Sequence, residues 1–222
     1  MSEALNILLT GFEPFERDTV NASWEVARAL DGWTFAFEGR MATVQALQLP
    51  CVFGASATAL RAAIAQHAPQ LVVCLGLAGT RTEITPERVA INVDDARIPD
   101  NAGGQPIDEP IAAEGPVAYW STLPIKAIVR DLRAAGVPAS VSNTAGSFVC
   151  NHIFYALMHA LAQQGNRARG GFVHLPLLPE QAARLPGAPS MALATQVEGI
   201  QQLLRTALSV QADVRETGGK LH

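Results

Sequence analysis

The segment Gln70 to Gly76 (QLVVCLG) most constrains the fold, because it is an unbroken apolar run bounded by Pro69 before it and Gly76 at its end. A strand with one wet face alternates apolar and polar residues. A run without alternation must be covered on both faces, as a central strand of a parallel sheet is. Leu5 to Thr10 (LNILLT), running into Gly11 and Pro14, and Gly170 to Leu175 (GGFVHL) read the same way. Helical spacing fills the intervals. Asn21 or Ser23 can cap a helix on which Trp24, Val26, Ala27 and Leu30 recur until Asp31-Gly32 stops it. Met41 to Leu49 predicts another strand and Ala55 to His67 a helix; Pro124 to Ala135, Phe148 to Gln164 and Met191 to Val210 predict three more helices. Ala139 to Ser142 reads as a short strand. From Leu77 to Pro124 the pattern loosens into a Pro- and Gly-rich stretch in which only Arg88 to Val93 resembles a strand.

Strands alternating with helices imply an α/β protein, a three-layer α/β/α sandwich with a largely parallel central sheet. The 222 residues contain no internal repeat and no linker-like stretch, so we expect a single domain over 1–215 and a polar tail over 216–222. Hydrophobic residues at 49% against 16% charged exclude disorder for most of the chain. A net charge of -4 without a basic stripe argues against nucleic acid, and Arg167 to Arg169 reads as a solvated turn. No apolar stretch of about 18 residues exists, and Met1 to Leu5 lacks the basic start of a signal peptide. The expectation is a soluble, cytoplasmic protein without membrane or nucleic-acid partners.

Ligands of such folds bind beyond the carboxyl ends of the strands. There lies Cys150, in Ser142 to His152 (SNTAGSFVCNH), where a turn containing Gly146 meets the start of a helix. Helix-end N–H groups can lower a thiol pKa and cradle an oxyanion, so Cys150 is either a nucleophile or a buried apolar residue. The other cysteines, Cys51 and Cys74, read as structural; with no C-x-x-C, the three suit neither a zinc site nor a disulfide framework. His174, at the end of its strand, could serve Cys150 as base. His152 could not, because residues two apart on a helix point about 200° from each other; it reads as capping or buried, and His67 and His159 read as solvated. A base needs an orienting acid or amide. Glu87 is available, although an acid beside Arg88 is ordinarily a surface pair. Phe12 and Phe15 in GFEPF either wall a pocket or anchor their loop, and Gly76 to Gly79 (GLAG) is a weak phosphate signal.

Taken together, Gly11 to Phe15 (GFEPF), Ile84 to Asn92 (ITPERVAIN), Ala96 to Asn101 (ARIPDN), Ala145 to His152 (AGSFVCNH) and Gly170 to Pro176 (GGFVHLP) resemble the signature segments of pyrrolidone-carboxylate peptidases, the type I pyroglutamyl-peptidases. The resemblance spans nearly the whole chain. It implies a phosphorylase/hydrolase-like α/β/α fold, removal of N-terminal pyroglutamate from peptides by thioester chemistry, no metal or cofactor, and a homo-oligomer, tetramer or dimer. It further implies a triad of Cys150, His174 and Glu87. Phe12 and Phe15 would sandwich the lactam ring beside Asn21, with Ile98, Phe148 and Val149 completing the wall and Arg97 near the reacting carbonyl. The chain departs from the family at Leu77, where members often carry Gln. The competing readings are a phosphorolytic α/β protein using Gly76 to Gly79, with Cys150 buried, and a non-catalytic interaction domain using the segment Leu77 to Pro124.

Overall fold

The computed structural model describes residues 4–16, 18–165 and 167–219. Strands β1 (Leu5–Phe12), β3 (Arg40–Leu49), β4 (Leu71–Leu77) and β8 (Arg169–Leu175) run parallel, flanked by antiparallel β2 (Thr34–Phe37) and β5 (Thr85–Pro86) in the order β2-β3-β1-β4-β8-β5. Helices α1 (Ala22–Ala29), α3 (Ile125–Ala134) and α6 (Leu193–Ser209) cover one face; α2 (Ala55–His67) and α4 (Val149–Gln163) cover the other. β6 (Val89–Ile91) and β7 (Ala118–Trp120) form a separate antiparallel pair beside α4, and α5 (Pro179–Ala182) is one short turn.

The period of two explains the three layers. Ile7, Leu9, Leu71, Val73, Leu75, Val173 and Leu175 point into the α1/α3/α6 core, while Leu8, Val72, Cys74 and Phe172 point to α2 and α4. Both faces are apolar, so the strands lose their alternation in sequence. Each fully buried Leu, Ile or Phe stabilises the sheet by roughly 1.5–3 kcal/mol. Gly11 lets the layers close near the site, since a Cβ there would stand 2.4 Å from the Ser23 carbonyl oxygen at the start of α1.

Several local expectations change. β1 continues to Phe12 instead of ending at Thr10, so the first aromatic of GFEPF belongs to the sheet. Ala139 to Ser142 makes isolated bridges, Ile84 to Ala139 and Glu87 to Ser142, rather than a full strand. The Arg167 to Arg169 stretch is not simply solvated: Arg169 opens β8 and donates to the Val210 carbonyl at 2.7 Å and to that of Ala207, carbonyls at the end of α6. His159 is half-buried, with Nδ1 2.8 Å from the Tyr119 hydroxyl and its ring stacked on Tyr155. In the tail, Glu216 and Gly218 offer their carbonyls to Lys126 Nζ at 2.6 Å and Arg88 Nη2 at 3.1 Å, and residues 220–222 lie outside the described part.

Candidate active site

Cys150 is the second residue of α4, whose N-cap, Phe148, supplies no side-chain bond to the first turn. The first backbone bond of this turn runs from His152 N–H to the Phe148 carbonyl, so the N–H groups before it are available to an anion. The Cys150 sulfur lies over Gly76, 3.0 Å from where a Cβ would stand, and Gly76 is paired in register with His174 on β8. The missing side chain is what makes room for the thiol. Gly79 is half-buried, with Leu177 carbons in ordinary contact 3.7 Å from its Cβ position.

His174 is buried, and its Nδ1 is 2.7 Å from Glu87 Oε1. An ionised carboxylate only accepts, so Nδ1 carries the proton and Nε2 is the nitrogen left for the thiol. Glu87 arrives by way of β5, where Thr85 pairs with His174, Pro86 pairs with Val173 and Glu87 N–H donates to the Phe172 carbonyl at 2.9 Å. Pro86 is tolerated because β5 is an edge strand. Glu87 is therefore fully buried and turned inward, not part of a surface pair with Arg88, whose guanidinium goes to Asn143 at 2.8 Å and Gly218. The cation near Glu87 is Arg81, with Nη2 at 3.6 Å.

The thiol departs from expectation. Burial pushes its pKa up, with nearby Cys51 and Glu87 adding to the rise. The residue is half-buried and lines a mostly apolar cavity. Helix-end donors contribute at most about 2 kcal/mol, or about 1.5 pKa units, whereas full desolvation is worth about 3–5 units. Desolvation wins, and the resting sulfur is a neutral thiol. Burial also lifts Cys51 and Cys74 to about 12.

A cavity of about 110 Å³ is lined by Cys150 together with Phe12, Phe15, Asn21, Cys51, Leu77, Phe148 and Val149. Phe148 is held between Phe15, at 5.4 Å between centroids, and Phe53, edge-on at 5.2 Å. Asn21 caps α1, its Oδ1 accepting from Ser23 N–H at 3.1 Å and its Nδ2 donating to the Glu13 carbonyl at 3.0 Å. Leu77 also borders a wider, open cavity of about 860 Å³ with Phe15, Asp18 and Leu185. Arg97 and Ile98 do not line the small cavity: Arg97 is exposed and Ile98 half-buried. Their loop is pinned by paired bonds between Asp95 and Ser147, at 2.9 and 2.8 Å, and by Ala96 N–H donating to the Pro106 carbonyl at 2.9 Å.

The model of the family described as pyroglutamyl peptidase matches residues 5–210. The chain belongs to the pyroglutamyl peptidase family. It is 61% identical over 217 residues to a pyrrolidone-carboxylate peptidase of Cupriavidus pinatubonensis, covering 97% of this chain and 99% of that one. Among solved structures it is similar to pyroglutamyl peptidase I of Bacillus amyloliquefaciens, with TM-score 0.91, 46% identity and coverage of 97% of this chain and 100% of that one. It is also similar to a variant of pyrrolidone carboxyl peptidase from Pyrococcus furiosus, with TM-score 0.87, 38% identity and coverage of 92% and 98%. The α/β fold with its mostly parallel sheet is thus the fold of this family.

Sequence reasoning missed four contributors, each defined by a long-range contact. Glu13, inside GFEPF, accepts from Cys51 N–H at 3.0 Å and Asn101 Nδ2 at 2.8 Å, so it ties the three loops around the pocket. Asp100 completes the brace through Phe53 N–H at 2.9 Å and Gly104 N–H at 2.7 Å, which folds the Asn101 to Gln105 loop against the pocket's outer wall. Cys51 lines the cavity, and Arg81 sits behind Glu87. The only local signal was Glu13, a carboxylate at a strand's carboxyl end beside a proline.

Proposed function

We propose that this family member removes N-terminal pyroglutamate from peptides, with Cys150 as nucleophile, His174 as acid and base and Glu87 as the group that orients it. The carrying observation is the small aromatic cavity that Cys150 helps to line, together with the 2.7 Å Glu87–His174 bond on the strand whose His174 pairs with Gly76, over which the Cys150 sulfur lies. Pyroglutamate is a neutral lactam, so its site needs ring faces rather than an anionic pocket. Phe12, Phe15, Phe148, Val149, Leu77 and Asn21 are in position to enclose the ring, and backbone polar groups at the rim can pair with its amide. A site built for that amide leaves its own groups unpaired when proline enters, which penalises proline beyond loss of apolar contact.

A thiol pKa raised by burial supports proton transfer to the base as part of the attack. His174 Nε2 takes the Cys150 proton as the sulfur attacks the carbonyl following the ring, and the imidazolium formed is stabilised by Glu87. The first-turn N–H groups of α4 hold the oxyanion. His174 then protonates the departing amine, and water cleaves the thioester. Arg97 and Ile98 take no part in this scheme.

Among the described residues no helix is long and apolar enough to cross a membrane. Three free cysteines support a cytoplasmic location, and exposed Ile107, Val117 and Trp120 support a homo-oligomer, dimer or tetramer. The test is release of a fluorogenic amine from pyroglutamyl, prolyl and glutamyl substrates, before and after alkylation. Thiol-dependent cleavage of the pyroglutamyl compound alone is expected; folded, reduced protein that cleaves none of them would overturn the reading.

A further inference from the structure

Glu87 presents an electrostatic problem that His174 does not solve. Its carboxylate is fully buried, Oε1 is engaged by His174, and Oε2 has no hydrogen-bond partner among the described residues. Withdrawing a carboxylate from water is costly, a nearby cation lowers that cost, and a neutral imidazole supplies no charge.

Arg81 supplies that cation. It reaches in from the turn after β4 with its side chain 24% exposed, and Nη2 lies 3.6 Å from Glu87 Oε1. The same nitrogen donates to Ser142 Oγ at 3.0 Å and faces the Thr144 carbonyl at 3.4 Å. Ser142 is the bridge partner of Glu87 and accepts Arg88 N–H through its carbonyl. One guanidinium therefore holds both the charge and the backbone that presents it. Neighbouring ionisable groups are committed elsewhere: Arg88 to Asn143 and Gly218, Glu83 to Ser140, and Asp94 to His152. The thiols of Cys150 and Cys51 are neutral at rest.

The charge count follows the reaction. At rest, Arg81 and Glu87 cancel while His174 and Cys150 are neutral. When the thiol proton moves to His174 and the negative charge moves to the oxyanion, two cations face two anions. The cluster stays neutral throughout. Without Arg81 it carries one uncompensated negative charge in the resting state.

The geometry points to Arg81 as a positioning residue for the reaction, one that keeps Glu87 ionised and aligned and so keeps His174 available to Cys150. This rests on the triad proposed above, and Arg81 touches none of the reacting atoms.

The test is kcat/KM against pH for a fluorogenic pyroglutamyl amide with the unaltered protein, Arg81→Lys and Arg81→Gln. Removing a nearby positive charge favours the protonated form of whatever group must be free to act as base, so the acidic limb should move upward. We expect a shift of about one pH unit for Arg81→Gln, a smaller one for Arg81→Lys, and kcat lowered on the order of tenfold with KM little changed. A limb position does not depend on how much of a preparation is folded, so partial misfolding does not imitate the result. An active unaltered protein with the same acidic limb in all three would overturn the role of Arg81 alone. An unaltered protein that cleaves nothing would overturn the triad, and the role of Arg81 with it.

Discussion

Two buried histidine–carboxylate pairs lie near Cys150, and apart from the Arg81 guanidinium beside Glu87 they differ at the second histidine nitrogen. His174 and Glu87 meet at 2.7 Å with side chains 6% and 0% exposed; His152 and Asp94 meet at 2.8 Å with side chains 8% and 9% exposed. In each pair Nδ1 faces the acid. The difference lies at Nε2. Gly54 N–H donates to His152 Nε2 at 3.0 Å, whereas His174 Nε2 has no hydrogen-bond partner among the described residues. His152 spends both nitrogens on structure, joining α4 to the segment that brings Cys51 and Phe53 to the pocket. A buried His–acid pair becomes a catalytic device only where its second nitrogen is left open beside a nucleophile.

Substitutions can break this contrast, and the largest effect should come from His174. His174→Ala should lower kcat/KM by at least about a thousandfold in steady-state assays, since residues acting as one unit fail together. A loss under tenfold would place the base elsewhere. Glu87→Gln keeps the shape but not the charge and should cost about a hundredfold or more in kcat, with some turnover left; indifference would remove it from the triad. Gly76→Ala would set a Cβ 2.5 Å from the Phe172 ring and 3.0 Å from the Cys150 sulfur. Overpacking of this kind costs about 1–3 kcal/mol, and displacing the nucleophile should lower kcat by about tenfold or more. Thermal unfolding and kinetics of that one variant separate the two costs.

The smallest kinetic effect is expected at the other pair. His152→Ala leaves the Asp94 carboxylate buried and unpaired, a loss of about 3 kcal/mol or more, which for a chain of this length lowers Tm by about 6–12 °C. Its kcat at temperatures where it is folded should stay within about tenfold of the parent. A catalytic collapse without loss of Tm would erase the distinction between the pairs.

The three long central strands were legible because burial on both faces leaves runs such as Leu71–Leu77 with no polar interruption. Helices α2 and α4 were legible from periodicity to within a residue at each end. The edge strands were not. β2, β5 and β7 span four, two and three residues, too short for a period, and β5 contains Pro86. In the site, Cys150, His174 and the aromatic wall stood out because they follow strand ends or open a helix. The direction of the thiol pKa did not, since desolvation depends on Phe12, Phe15 and Leu77 arriving from distant segments. The same limit hid Arg81, whose partners Ser142 and Glu87 reach it through tertiary bridges.

The central claim is that one of three thiols, poised by His174, carries the reaction. Its most direct test is inactivation by one equivalent of iodoacetamide near neutral pH, with the labelled cysteine mapped by peptide mass and residual activity followed in parallel. Activity should fall in step with alkylation of Cys150 alone, and His174→Ala should label there far more slowly, because its buried thiol has lost the base. Activity that survives a fully alkylated Cys150, or that falls in step with Cys51 or Cys74 instead, would contradict the account.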